Sequence, residues 1–184
     1  MNDKEIDRPP ERPWQGSRAA ILAGHEGEGT MKDHWASFGI GFVAGLRAMT
    51  ASAALSWAAS LGRTRTGWIP TGTLPRRLAT AAALAEMAGD KMPFAPDRRI
   101  VPSFLVRIAI GAAGGAALAG RDASLLSGAL SGVAGAVVGT LLGRAARGAT
   151  TRSAADWMRA TTEDATAAGL GAALVYMAAS RDRV

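Results

Sequence analysis

Cysteine is absent from this 184-residue chain, which removes disulfides and thiolate metal sites and leaves the redox compartment undefined. Histidine is nearly absent too. His25 and His34 lie before or at the edge of the apolar part of the chain, so no Ser-His-Asp arrangement and no well-spaced metal-ligand cluster is expected within it. The stretch GAAGG at 111–115 lacks a following lysine and sits in an apolar run, so it does not read as a phosphate loop. No nucleophile elbow occurs, and nothing in the sequence calls for a cofactor. Residues 1–20 mix charges without an apolar core, unlike a signal peptide. Aromatics make up only 5%. The +6 net charge gathers on no basic, aromatic-interleaved face, so nucleic acid is not an expected partner.

What the chain does have is alanine and glycine. Hydrophobic residues reach 48%, yet a soluble core of such small side chains would bury too little apolar area to offset chain entropy. In lipid the same residues are an asset, because they let helices approach closely. Most of the 20% of charged residues cluster before residue 34, at 63–77, at 97–107 and at 144–164. The low-charge stretches between them form a multi-pass pattern. The lipid bilayer is therefore the first expected partner, and an all-α, polytopic transmembrane helical bundle is the expected fold.

Five apolar segments predict about five helices: Trp35–Leu61, Leu78–Met92, Ser103–Ala119, Ser124–Leu142 and Thr162–Ser180. A span needs about 20 residues. The first segment is long, and the second is short and carries Glu86, Asp90 and Lys91. Pro93, Pro96 and Pro102 predict a constrained loop over 93–102, and Arg121-Asp122 a tight hairpin. Residues 1–33 read as a polar disordered tail and 34–184 as the transmembrane domain. The GEGT before Met31 could be encoded by purine-rich codons resembling a ribosome-binding site, which makes Met31 a candidate start. With five crossings, Lys and Arg are more numerous in the tail and the 91–102 and 143–161 loops than in the 62–77 loop, the Arg121 turn and the C-terminal tail. That places the N-terminus in the cytoplasm, with the protein in the bacterial inner membrane.

Arg47 interrupts the first segment. An arginine at the centre of a membrane helix costs about 2.5–3.5 kcal/mol on insertion scales, so it needs a partner or a purpose. Glu86 and Asp90 stand one helical turn apart on one face, Lys91 is adjacent, and Arg107, Glu163 and Asp164 lie in or beside later segments. The expected arrangement is an intramembrane charge cluster in which Arg47 pairs with one or more of Glu86, Asp90, Glu163 and Asp164. Glu163-Asp164 has a second reading, as acids in a helix's first turn. Gly45 before Arg47, with Thr50 and Ser52 after it, suits a helix broken near Arg47, as at transporter substrate sites. A faint repeat relates Ala44–Arg47 and Glu86 to Ala134-Gly135, Arg144 and Glu163-Asp164. Glycines recur at four-residue spacing as Gly41/Gly45, Gly111/Gly115, Gly128/Gly132 and Gly135/Gly139/Gly143. They serve either helix packing within the chain or a homo-oligomer seam.

GLRAMTASAALSWAA at 45–59, AEMAGDKMPFAPDR at 85–98, RIAIGAAGGAALAG at 107–120, GALSGVAGAVVGT at 128–140 and TEDATA at 162–167 resemble bacterial membrane proteins of domain of unknown function 4126. The shared motifs fall on Gly45, Leu46 and Arg47, on Glu86, Asp90, Lys91 and Pro93, on Pro96, Arg98 and Arg107, and on Glu163 and Asp164. Relatives often carry proline just after Gly-Leu-Arg, where this chain has Ala51-Ser52, so a proline-induced break is not implied here. The resemblance implies an integral membrane protein and supplies no activity, substrate or cofactor. The leading functional expectation is a small transporter or channel-like protein for a solute or ion, not an enzyme. A structural or assembly protein built on glycine-faced helices comes second, and a lipid-modifying enzyme, with Glu86 and Asp90 as acid and base, last.

Overall fold

A computed structural model describes residues 34–89, 101–120, 123–147 and 154–180. Among these residues the chain is all-helical, with six helices and no strand: α1 (His34–Leu46), α2 (Ala48–Ser60), α3 (Thr73–Gly89), α4 (Val101–Ala117), α5 (Leu125–Arg147) and α6 (Ala154–Ser180). The first predicted segment is two helices divided at Arg47. The N-terminal tail, Asp90, Lys91, the prolines at 93 and 96, and the Arg121-Asp122 turn lie outside the described residues.

Several boundaries extend beyond the sequence expectation for one reason: hydropathy marks apolar length, whereas helices extend into polar flanks. α3 begins at Thr73, which moves Arg76 and Arg77 from a loop into its first turns. α4 begins at Val101 and takes in Pro102, since a proline in a first turn forfeits no helical hydrogen bond. α6 begins at Ala154. That overturns the first-turn reading of Glu163-Asp164, which lie more than two turns inside the helix.

α1 and α2 form the centre. Ile40, Val43, Ala44, Leu46, Ala51, Ala54, Leu55 and Ala58 join Ala117, Leu118, Ala167 and Leu174 in one buried cluster. α2 packs on α3, α4 and α6, and α4 on α5. The glycines explain how closely. A Cβ at Gly41 or Gly45 would run into α5 backbone at Gly132 and at Ala136–Thr140. One at Gly111 or Gly115 would meet Gly132 and Gly128, and one at Gly135 or Gly139 would meet Phe38 and Phe42. Gly143 is also buried. The paired glycines thus face backbone of another helix in the same chain, which is the intramolecular alternative rather than an oligomer seam. α5 runs unbroken through Gly135, so the faint repeat has no second break to match the first.

α2 ends in a Schellman arrangement. Gly62 takes φ +70°, its amide bonds Ala59 O at 2.9 Å and the Arg63 amide bonds Ala58 O at 2.8 Å. Gly62→Ala is therefore expected to cost about 1 kcal/mol, the left-handed penalty of a residue with a Cβ, read as a lowered unfolding midpoint in detergent. Beyond it, Arg65 holds the end of α4: its amide donates to Ala117 O at 2.9 Å and its guanidinium to Gly120 O at 2.8 Å and to Ala123 O.

Large apolar side chains lie outside, among them Trp35, Trp68, Leu74, Leu78, Leu84, Leu126, Leu130 and Leu141, while Arg47, Arg107, Glu163 and Asp164 are inside. One described helix, at Leu125–Ala145, is long and apolar enough to cross a membrane, and only 28% of its apolar window is buried. α1 and Ser103–Ala117 are shorter apolar helices.

Candidate functional site

An uninterrupted helix through Arg47 would bond the amides of Ala48, Met49 and Thr50 to the carbonyls of Ala44, Gly45 and Leu46. Arg47 instead is extended, at φ −144° and ψ 104°. The helical pattern survives on either side, with the Arg47 amide on Val43 O at 2.7 Å and the Ala51 amide on Arg47 O at 3.2 Å. Between those bonds the break exposes backbone donors and acceptors in a buried place, where each must find a partner.

Side chains from three other helices supply those partners. Arg107, on α4, donates through one guanidinium nitrogen to Gly45 O and, at 2.9 Å, to Leu46 O. Thr140, on α5, adds a hydroxyl to Gly45 O at 3.3 Å. Glu86, on α3, accepts the Met49 amide at 2.9 Å. A cation thus sits at the negative end of α1 and a carboxylate at the positive end of α2, the arrangement each helix dipole favours. These bonds explain how the chain breaks without a proline: side chains take up the Met49 amide and the Gly45 and Leu46 carbonyls.

Arg47 itself turns away into the core. It is 1% exposed, the largest fully buried side chain, and its Nη2 stands 2.5 Å from Asp164 Oδ1 of α6. Glu163 is buried beside Asp164. Of the candidate residues, then, Arg47, Glu86, Arg107 and Asp164 surround one helix break, with Arg47 paired to Asp164 and with Glu86 and Arg107 on the backbone at the two helix ends. Asp90 and Lys91 lie outside the described residues. Sequence reasoning counted Arg107 as a charge and missed it as a cap, because its partners are carbonyls, which leave no mark in a sequence. Thr140 was missed for the same reason.

Among the described residues no group of three His, Asp or Glu side chains could hold a metal ion. A cavity of about 290 Å³ runs along α2 between α3 and α4, lined by Ser52, Leu55, Ser56, Pro75, Ile110 and Ala113 among others. It begins one turn past the break, and none of Arg47, Glu86, Arg107 or Asp164 lines it. No protein family, no curated protein and no solved structure matches the chain.

Proposed function

We propose that this chain is a small multi-pass protein of the bacterial inner membrane, N-terminus in the cytoplasm, that moves a small polar solute or ion, with the broken helix as its moving part. The inside-out distribution of side chains, with leucine and tryptophan outward and four charges inward, supports the membrane class, as do the motifs that resemble domain of unknown function 4126. The observation that carries the transport reading is the break at Arg47, whose two helix ends are held by Glu86 and Arg107. Side-chain caps on neighbouring helices are exchangeable. When Glu86 withdraws, the Met49 amide and the positive end of α2 are open to an anionic group. When Arg107 withdraws, two carbonyls are open to a cation. The capped arrangement is then the closed state.

The test is flux in proteoliposomes with protons, sodium, potassium, chloride and phosphate as probes. Both caps hold the closed state, so Glu86→Gln and Arg107→Met are each expected to raise the flux of the transported species by about tenfold or more, the weight of one charge-assisted hydrogen bond at about 1.5–3 kcal/mol. Unchanged flux of every probe in both variants would sink the transport reading. One observation favours a second reading, a structural or assembly protein: the cavity stops short of the charges. That reading expects no flux of any probe in the unaltered protein.

A further inference from the structure

The cavity along α2 has two properties that the transport reading does not use. Its walls are almost wholly apolar, from Leu55, Ile69, Pro70, Pro75, Ile110 and Ala113. One wall also holds Ser56, which is 5% exposed and whose Oγ has no hydrogen-bond partner among the described residues. That oxygen is closed off from the groove, so Ser56 serves to mark the depth of this wall. Its depth is fixed by its neighbour. Trp57 carries the Arg76 guanidinium 4.4 Å from its ring centroid and donates its Nε1 to Thr80 at 3.2 Å. Arg76 therefore stands at the level of Ser56, one turn inside the end of α2. Trp57 and Trp68 are both exposed here, as aromatic side chains are where a bilayer meets water. From Leu61 to Ala85 the chain carries four arginines and no acidic residue.

We infer that this groove seats one anionic phospholipid of the surrounding bilayer, acyl chain along Leu55, Ile110 and Ala113, and phosphate toward Arg76 and the exposed Arg77. Charge complementarity selects the occupant. A zwitterionic lipid would fill the apolar walls equally well and gain less from the arginines. The inference rests on the membrane class proposed above and not on transport.

The experiment is native mass spectrometry of the full chain released from detergent after exchange into phosphatidylglycerol or phosphatidylcholine, with carbonate extraction of native membranes alongside. The unaltered protein is expected to retain one phosphatidylglycerol in preference to phosphatidylcholine. Ala113→Phe fills the groove from an exposed position and is expected to abolish retention, and Ser56→Val does so from the opposite wall if the first variant folds poorly. Arg76→Gln is expected to cut the preference by about fivefold, the weight of one arginine near a charged surface. Retention unaffected by both groove-filling variants, or equal retention of the two lipids by the unaltered protein, overturns the inference. Release of the protein by carbonate would instead strike the membrane class, so the two failures are told apart.

Discussion

Asp164→Ala is expected to destabilise the protein by about 3–5 kcal/mol, the cost of leaving a buried charge without its partner. Arg47 and Asp164 meet at 2.5 Å with side chains 1% and 9% exposed, so water cannot take over the lost contact. Arg47 is also the extended residue between α1 and α2. The readout is chemical unfolding of detergent-solubilised protein. The double variant Arg47→Met with Asp164→Leu is the companion measurement. Two apolar side chains of similar volume remove both desolvation penalties, and replacement of this kind is often neutral or stabilising. The double variant is therefore expected to recover most of the stability that Asp164→Ala loses. An Asp164→Ala protein within about 0.5 kcal/mol of the parent would mean that the pair contributes no more than a surface salt bridge.

Gly132→Leu is expected to prevent folding of the bundle or to cost more than about 3 kcal/mol, the upper range for overpacking. Gly132 lies where α5 is held between α1 and α4. A Cβ there would collide with the backbone of Gly111 and come within 3.0 Å of Gly115 Cα, and its own carbonyl already occupies the space a Cβ on Gly41 would need. Backbone cannot rotate aside as a side chain can. Gly169→Ala is the control on α6, where a Cβ meets nothing within 4 Å. That substitution is expected to be neutral or to stabilise by about 0.5–1 kcal/mol through helix propensity. Size-exclusion profiles and unfolding midpoints in detergent check both. Equal behaviour of the two variants would contradict the packing described above.

The helix break is legible in the residues themselves, because Arg47 is the one charge in a long apolar run and Gly45, Thr50 and Ser52 flank it. The four-residue glycine spacing likewise marks which faces pack. What the residues do not tell is who meets whom. Arg47 has four carboxylates to choose from, and its choice of Asp164 depends on how α6 lies against α2, which no local pattern encodes. Glu86 and Arg107 are visible as charges, but they act on backbone amides and carbonyls that every residue has. The early start of α6 is hidden for another reason. AADWMRAT at 154–161 is polar enough to read as loop, although alanine, methionine and arginine favour helix regardless of their hydropathy.

The two caps at Arg47 have a mechanical consequence. Glu86 fastens the start of α2 to α3, whereas Arg107 and Thr140 fasten the end of α1 to α4 and α5, to which the glycine contacts also lock it. The half-helices are thus fastened at the break to different neighbours, although α2 also packs on α4 and α6. Asp164 on α6 grips Arg47, the one extended residue between them, from the side. In the motion proposed above, residue 47 is the point about which the backbone bends.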